Sequence, residues 1–473
     1  MSQRINRKLD VGLLPLLSLL YLFNGLDRGN VGNAQTQGFT NDIGADPDDL
    51  NLAVSAFFLT FVLLQPVSAA LGRWIGPTRW IPAMMFCWGL LTIGQAFIRG
   101  RQALIMVRLL IGAFEAGFYP TAVAYLALFY SPFDLAVRLG LFYGQYAIAG
   151  AFSGAMAFGI FQIQGDLRPW QYLFLIEGGM TCLLAVVAWV WLPVGLGAAW
   201  FLTQEERSFA RNRLNDEDKA DEPGDRQHDP HANSDGSGPQ TRLTRRDVIE
   251  TARDWKLWFV LMCNICASVP STAFSVFLPL VVQGMGYTCL DANLMSVPPH
   301  VCGAVGLYLF ALSSDRHRER GYHILSGILV TLVGLLVVVT AQSHSGKYAG
   351  LCILLAGSYV SPPLTVAWLS GNTPAPGKRA LVLGVNGWGN LAGAIGSELY
   401  RAEYAPGYET PLYATLAFVT AGLLGYMSYR FTLQTVNDRR AAIMESKTAD
   451  ELEAERRHNV RYADRKWTFV YGL

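Results

Sequence analysis

Long apolar runs separated by short polar connections dominate this chain. A bilayer core about 30 Å thick takes about 20 helical residues. Twelve runs reach that length: 9–33, 50–73, 79–98, 102–129, 136–163, 171–195, 255–283, 291–314, 321–342, 348–370, 378–400 and 411–433. A backbone in lipid must satisfy its own N–H and C=O groups, which helices do. The runs therefore predict an all-α membrane protein with twelve transmembrane helices. They divide into two six-helix halves, 1–195 and 255–434. Residues 196–254 read as a cytosolic linker. Its middle, about 215–242, reads as disordered because it is rich in Asp, Gly, Pro and Arg and low in apolar residues. Residues 435–473 read as a cytosolic tail in which ADELEAERRH is helical. The first run holds Asn24, Asp27 and Arg28 and lacks a small-residue cleavage site, so it reads as a span rather than a cleavable signal.

Composition agrees with lipid as the main solvent. The chain has 473 residues, 52% hydrophobic and 15% charged, against about 25% charged in soluble proteins. Mean hydropathy is +0.27. A net charge of +1 gives no electrostatic reason to expect nucleic acid as a partner. Six of the seven cysteines lie in apolar runs and read as small buried hydrophobes. Lys and Arg concentrate in the N-terminal segment, the two long polar segments, and the short loops holding Arg73, Arg79, Arg138, Arg316, Arg318, Arg320, Lys378 and Arg379. The other side carries Arg99, Arg101, Arg168, Lys347 and Arg401. That bias places both termini in the cytosol.

No zinc-protease, nucleophile-elbow or phosphate-loop motif occurs, and no His-rich metal cluster. The chain therefore does not read as an enzyme, and no cofactor is expected. His300, beside Pro298-Pro299, reads as a structural group. Pro66, Pro270, Pro279, Pro298, Pro299, Pro362 and Pro363 fall within spans, as static kinks or as hinges. Gly140 and Gly144, Gly150 and Gly154, then Gly389, Gly393 and Gly396 mark faces where helices approach closely.

The informative residues are charges at membrane depth. Each costs about 2.5–3.5 kcal/mol on insertion scales. Asp27 and Arg28 lie in span 1, and Arg108 and Glu115 in span 4. Arg108 and Glu115 are two helical turns apart on one face, about 10 Å along the axis, too far for a direct bridge. Asp27 and Arg28 point about 100° apart, so they too need partners elsewhere. The simplest arrangement has the two helices facing each other, with Asp27 and Glu115 compensating the arginines. A structural ion-pair network that locks the first half is one reading. The other is functional. Two guanidinium groups bind an anion, since the planar fork matches a carboxylate and stays charged. A neighbouring acid, Glu115 or Asp27, then carries the proton, and each binding event favours the other.

At these residues a family resemblance becomes visible. NGLDRGNVGNAQTQG at 24–38 and RLLIGAFEAGFYP at 108–120 resemble the anion:cation symporter branch of the major facilitators. GPTRWIPAMMFCWGLLT at 76–92 and WGNLAGAIGSELYRAEYAP at 388–406 are similar to its fungal allantoate permease-like group, as is Arg461-Tyr462 in the tail. The resemblance implies the major facilitator fold and proton-coupled uptake of a small organic anion, a carboxylate such as a vitamin or purine catabolite. Protons are the coupling ion, and the carrier is a monomer in the plasma membrane. Arg28 and Arg108 match the family's substrate-binding arginines, and Glu115 with Asp27 its proton-coupling acids. Gln145, Asn386 and Asn390 are expected near the substrate, the two asparagines four apart on one face. Asp315 and Arg316 are expected to make cytosolic contacts between helices that tune the conformational equilibrium. Glu177, in FLIEGG, resembles a structural position. Span 5 reads GQYAIAGAFSG at 144–154 and lacks the drug-antiporter signature. Export or facilitated passage on the same fold is the alternative, and a non-transporting nutrient sensor a third.

Overall fold

Each apolar run becomes a helix in the computed structural model, which describes residues 2–130, 132–210, 245–457 and 463–473. The linker segment 215–242 and Arg461-Tyr462 lie outside the described residues. In chain order the helices are α1 (Ser2–Thr36), α2 (Pro47–Ile75), α3 (Pro77–Gln95), α4 (Gly100–Leu126), α5 (Pro132–Ile160) and α6 (Pro169–Trp191). The second half contains α7 (Trp255–Gly284), α8 (Cys289–His317), α9 (Gly321–Thr340) and α10 (His344–Gly371). It ends with α11, which is Pro376–Asn386 and Leu391–Leu399 joined by the 3-10 turn Gly387–Asn390, and α12 (Glu409–Glu445). Among the described residues, nine helices are by themselves long and apolar enough to cross a membrane; α3, α5 and the interrupted α11 complete the twelve. Leu63, Val67, Leu183, Val190, Leu309 and Leu312 are exposed. Such a belt would drive aggregation in water, whereas lipid solvates it.

The two halves meet mainly where α1 packs on α7, α2 on α11, and α5 on α8, with a smaller contact of α1 on α8. Twelve crossings return the chain to the face it left, so residues 2 and 473 lie on one face. The hydrogen bonds joining the halves gather toward the other face. Asn51 Nδ2 donates to the backbone oxygens of Ser397 and Tyr400 at 2.5 and 2.9 Å, and Asn293 Nδ2 donates to Thr36 Oγ1 at 2.9 Å. Closest of all is α1 against α7. A Cβ on Gly32 would stand 1.7 Å from the Val276 backbone oxygen, so only glycine allows this approach.

Breaks in the long helices explain several prolines. Pro298 and Pro299 open the segment Val297–His317 of α8, and Pro362 and Pro363 open Ser361–Gly371 of α10. A first-turn proline loses no helical bond, because its N–H would be an orphan there. Pro66, Pro270 and Pro279 lie inside continuous helices.

The last residues return to the terminal face of the second half. Asp464 binds Lys256 of α7 at 2.9 Å and Lys378 of α11 at 2.8 Å. The Gly472 oxygen accepts from Trp368 of α10 and from Asn372 just past its end, and Tyr471 exchanges two bonds with Asn437 of α12. The expected helix in the tail is Ala449–Arg457.

Candidate functional site

Successive residues on a helix point about 100° apart, and α1 uses this to send Asp27 and Arg28 to different neighbours. Asp27 faces α3, where Trp88 Nε1 donates to Oδ2 at 2.9 Å and Thr92 Oγ1 to Oδ1 at 3.4 Å; Asn30 Nδ2 adds a third donor at 3.3 Å. Arg28 faces α4, and its Nε lies 3.3 Å from Glu115 Oε2. Its Nη2 reaches Asn24 Oδ1 at 3.5 Å. The guanidinium carbon sits over the Phe61 ring at 4.4 Å from the centroid, with Tyr146 at 5.6 Å and Phe57 at 5.7 Å. All four ionisable groups are buried.

Arg108 is held differently. Its Nη1 donates to the Asp27 backbone oxygen at 3.3 Å and its Nη2 to Asn30 Oδ1 at 2.9 Å, while Nε has no partner. Among the described residues no carboxylate lies within 4.0 Å of it. The simple pairing of two acids with two arginines is thus half realised. Glu115 takes Arg28, but Arg108 meets neutral oxygens, because the Asp27 carboxylate turns to α3, where two donors from Trp88 and Thr92 draw it away.

Helix α4 brings Glu115 into reach by packing tightly on α2. A Cβ on Gly112 would stand 2.4 Å from the Phe57 backbone oxygen, and Thr60 Oγ1 donates across to the Leu109 oxygen at 3.0 Å. The first helical segment of α4 ends at Glu115. Both arginines border one void, shared with Val54, Phe57, Phe58 and Val276. Val276 belongs to α7, so the void lies between the halves. Its volume is about 10 Å³, room for about one water molecule.

The other expected residues are dispersed. Gln145 is half-buried on α5, outside that lining. Asn386 is buried with its amide oxygen unpartnered. Asn390 turns its Nδ2 back to the Gly387 oxygen at 2.9 Å. The 3-10 turn between them separates the pair by about 120° rather than the about 40° of an α-helix, so they do not share a face. Asp315, in the last turn of α8, pairs with Arg320 of the following connection at 2.6 Å, and Arg316 is exposed. The contact between helices there is made instead by Glu319, which takes Arg430 of α12 at 3.1 Å. His300 bonds the Tyr359 hydroxyl through Nδ1 at 3.1 Å.

Sequence reasoning missed Asn30, Trp88 and Thr92. Asn30 lies three residues from Asp27, one helical turn away. Trp88 and Thr92 lie four apart inside a motif already singled out. Nothing in the chain, however, shows which way α3 is rotated.

Residues 17–397 match the Major Facilitator Superfamily. The chain belongs to that family. As a facilitator it is an integral, multi-pass membrane transporter. It is 35% identical to the MFS-type transporter efuF of Hormonema carpetanum over 443 residues, 92% of this chain and 86% of that one. It is 30% identical to the high-affinity nicotinic acid transporter of Saccharomyces cerevisiae over 472 residues, 100% of this chain and 85% of the relative. The crystal structure of a D-xylose-proton symporter shares the fold, with a TM-score of 0.63 at 13% identity over 89% of this chain and 97% of that one.

Proposed function

We propose that this facilitator imports a small organic anion, a carboxylate, together with protons. One observation carries the reading. Two buried guanidinium groups, from α1 and α4, border a single void between the halves, and one of them meets no carboxylate among the described residues. A buried guanidinium with no carboxylate bonded to it keeps its fork open, and an anionic substrate supplies the direct partner. The other cation, Arg28, is held by Glu115. An arriving carboxylate competes for its fork, and a buried Glu115 left without its cation takes up a proton. Substrate and proton then bind with mutual preference. The water-sized void belongs to a closed conformation. The anion enters when the halves, 1–195 and 255–434 joined by the linker 196–254, part on one side or the other.

The aromatic rings of Phe57, Phe61 and Tyr146 around Arg28 suit a flat carboxylate, and the likeness to a nicotinic acid transporter makes nicotinate the first compound to try. Gln145, Asn386 and Asn390 are proposed to meet the rest of the substrate. Asp315 and Arg316 are proposed to tune the conformational equilibrium. The carrier acts as a monomer in the plasma membrane with both termini in the cytosol, as the anion:cation symporter branch implies. The test is uptake of labelled nicotinate, purine catabolites and small carboxylates into cells expressing the chain. Accumulation that rises as the external pH falls and collapses with a protonophore supports the reading. Efflux from loaded cells without concentrative uptake overturns it in favour of export.

A further inference from the structure

Glu177 is an acid of the buried cluster that the symport reading leaves idle. It lies on α6 and is fully buried, and neither of its carboxylate oxygens has a hydrogen-bond partner. The groups facing it are Asp27 and Asn30 from α1 and Arg108 from α4. Asn30 is committed elsewhere, its Nδ2 to Asp27 and its Oδ1 to Arg108. From α3, Trp88 and Thr92 direct their donors to Asp27. One turn further along α6, the buried Thr181 hydroxyl is itself unpartnered.

The three acids of the cluster therefore stand in unequal positions. Asp27 accepts from three donors and Glu115 from a guanidinium, whereas the one donor beside Glu177, the Asn30 amide, is directed to Asp27 and makes no well-formed bond to it. An ionised carboxylate sealed from water without donors is opposed by several kcal/mol of lost solvation. Charge balance points the same way. Asp27, Glu115 and Glu177 face only Arg28 and Arg108, so full ionisation leaves the cluster at −1, and one proton makes it neutral. We propose that Glu177 holds a proton in this closed conformation and forms a proton-binding site separate from the Arg28–Glu115 pair. The proton comes from water and returns there when the site opens. A consequence, which rests on the symport reading, is that protonated Glu177 leaves Asp27 alone to balance Arg108. Ionised Glu177 would add a second negative charge beside Arg108 and oppose an incoming anion.

The test is infrared spectroscopy of the full-length carrier in lipid nanodiscs at neutral pH, with no substrate present. Wild type should show a protonated-carboxyl C=O stretch. Glu177→Gln should lose it, while Glu115→Asp and Asp27→Glu, which keep the charge count, leave it in place. Should Glu177→Gln fail to fold, Glu177→Asp keeps a carboxyl and should shift the band. Absence of the band in wild type, its persistence in Glu177→Gln, or an unmoved band in Glu177→Asp overturns the proposal. A carrier that takes up no carboxylate yet shows this band loses the symport reading and keeps the Glu177 site.

Discussion

Arg28 and Glu115 stand 87 positions apart in the chain and meet at 3.3 Å, while Arg108, two turns before Glu115 on α4, is held only by oxygens of Asp27 and Asn30. One guanidinium thus has a counter-ion that can be exchanged, and the other has no carboxylate bonded to it. A purely structural network would be expected to pair both.

Arg28→Lys keeps the charge but loses the fork and the planar contact over Phe61. Those interactions are worth about 1–3 kcal/mol together, so uptake should fall about 10- to 100-fold in kcat/KM. Initial rates of labelled-substrate uptake, normalised to protein in the membrane, measure this. Wild-type rates in the Arg28→Lys, Arg108→Lys double variant would establish the structural-network reading instead.

Glu115→Gln removes the acid opposite Arg28 while keeping its shape. Concentrative uptake should vanish and the rate should stop responding to external pH, with exchange of internal for external substrate retained. Counterflow assays at acid and neutral pH separate these. Full pH dependence in this variant would show that Glu115 does not carry the coupled proton.

Gly32→Ala places a methyl group where the Val276 backbone oxygen already stands. Alanine favours the helix by about 0.8–1 kcal/mol, so α1 itself should not suffer. The halves, however, cannot close on the face opposite the termini. Uptake should drop at least about 10-fold with ordinary amounts of protein in the membrane. A cysteine at Thr36, now buried, should become reactive to a membrane-impermeant maleimide in a Cys289→Ser background.

Asp464 fastens the tail to α7 and α11. Burial alone would raise its carboxyl, but the Lys256 and Lys378 ammoniums outweigh that and hold it below the usual aspartate range. A lowered folded value means the stabilisation is present above pH about 4 and is lost as pH falls through the lowered value. Asp464→Asn leaves Lys256 and Lys378 to share Asp254 and should weaken tail docking by about 1–3 kcal/mol. Limited proteolysis should then cut the tail sooner at neutral pH, and acidification should produce the same sensitivity in wild type.

The spans were legible because each needs about 20 apolar residues, a local property that survives any packing. The charged positions were legible for the same reason, since Asp27, Arg28, Arg108 and Glu115 stand out against such runs. The shared face of Arg108 and Glu115 followed from an unbroken helix between them. The shared face of Asn386 and Asn390 did not, because a 3-10 turn intervenes. Likewise Asp315 and Arg316 were visible as a charged loop, but the contact to α12 belongs to Glu319, through Arg430.

The order of apolar runs alone determined a twelve-helix membrane chain and the depth of its buried charges, since lipid permits few other arrangements and penalises every unpaired charge. Which charge meets which was decided only in three dimensions. Helix rotation turns Asp27 toward Trp88 and Arg28 toward Glu115, and it leaves Glu177 without a donor. Rotation and close approach depend on contacts between helices far apart in the chain, such as Gly32 on Val276, and no local pattern encodes them.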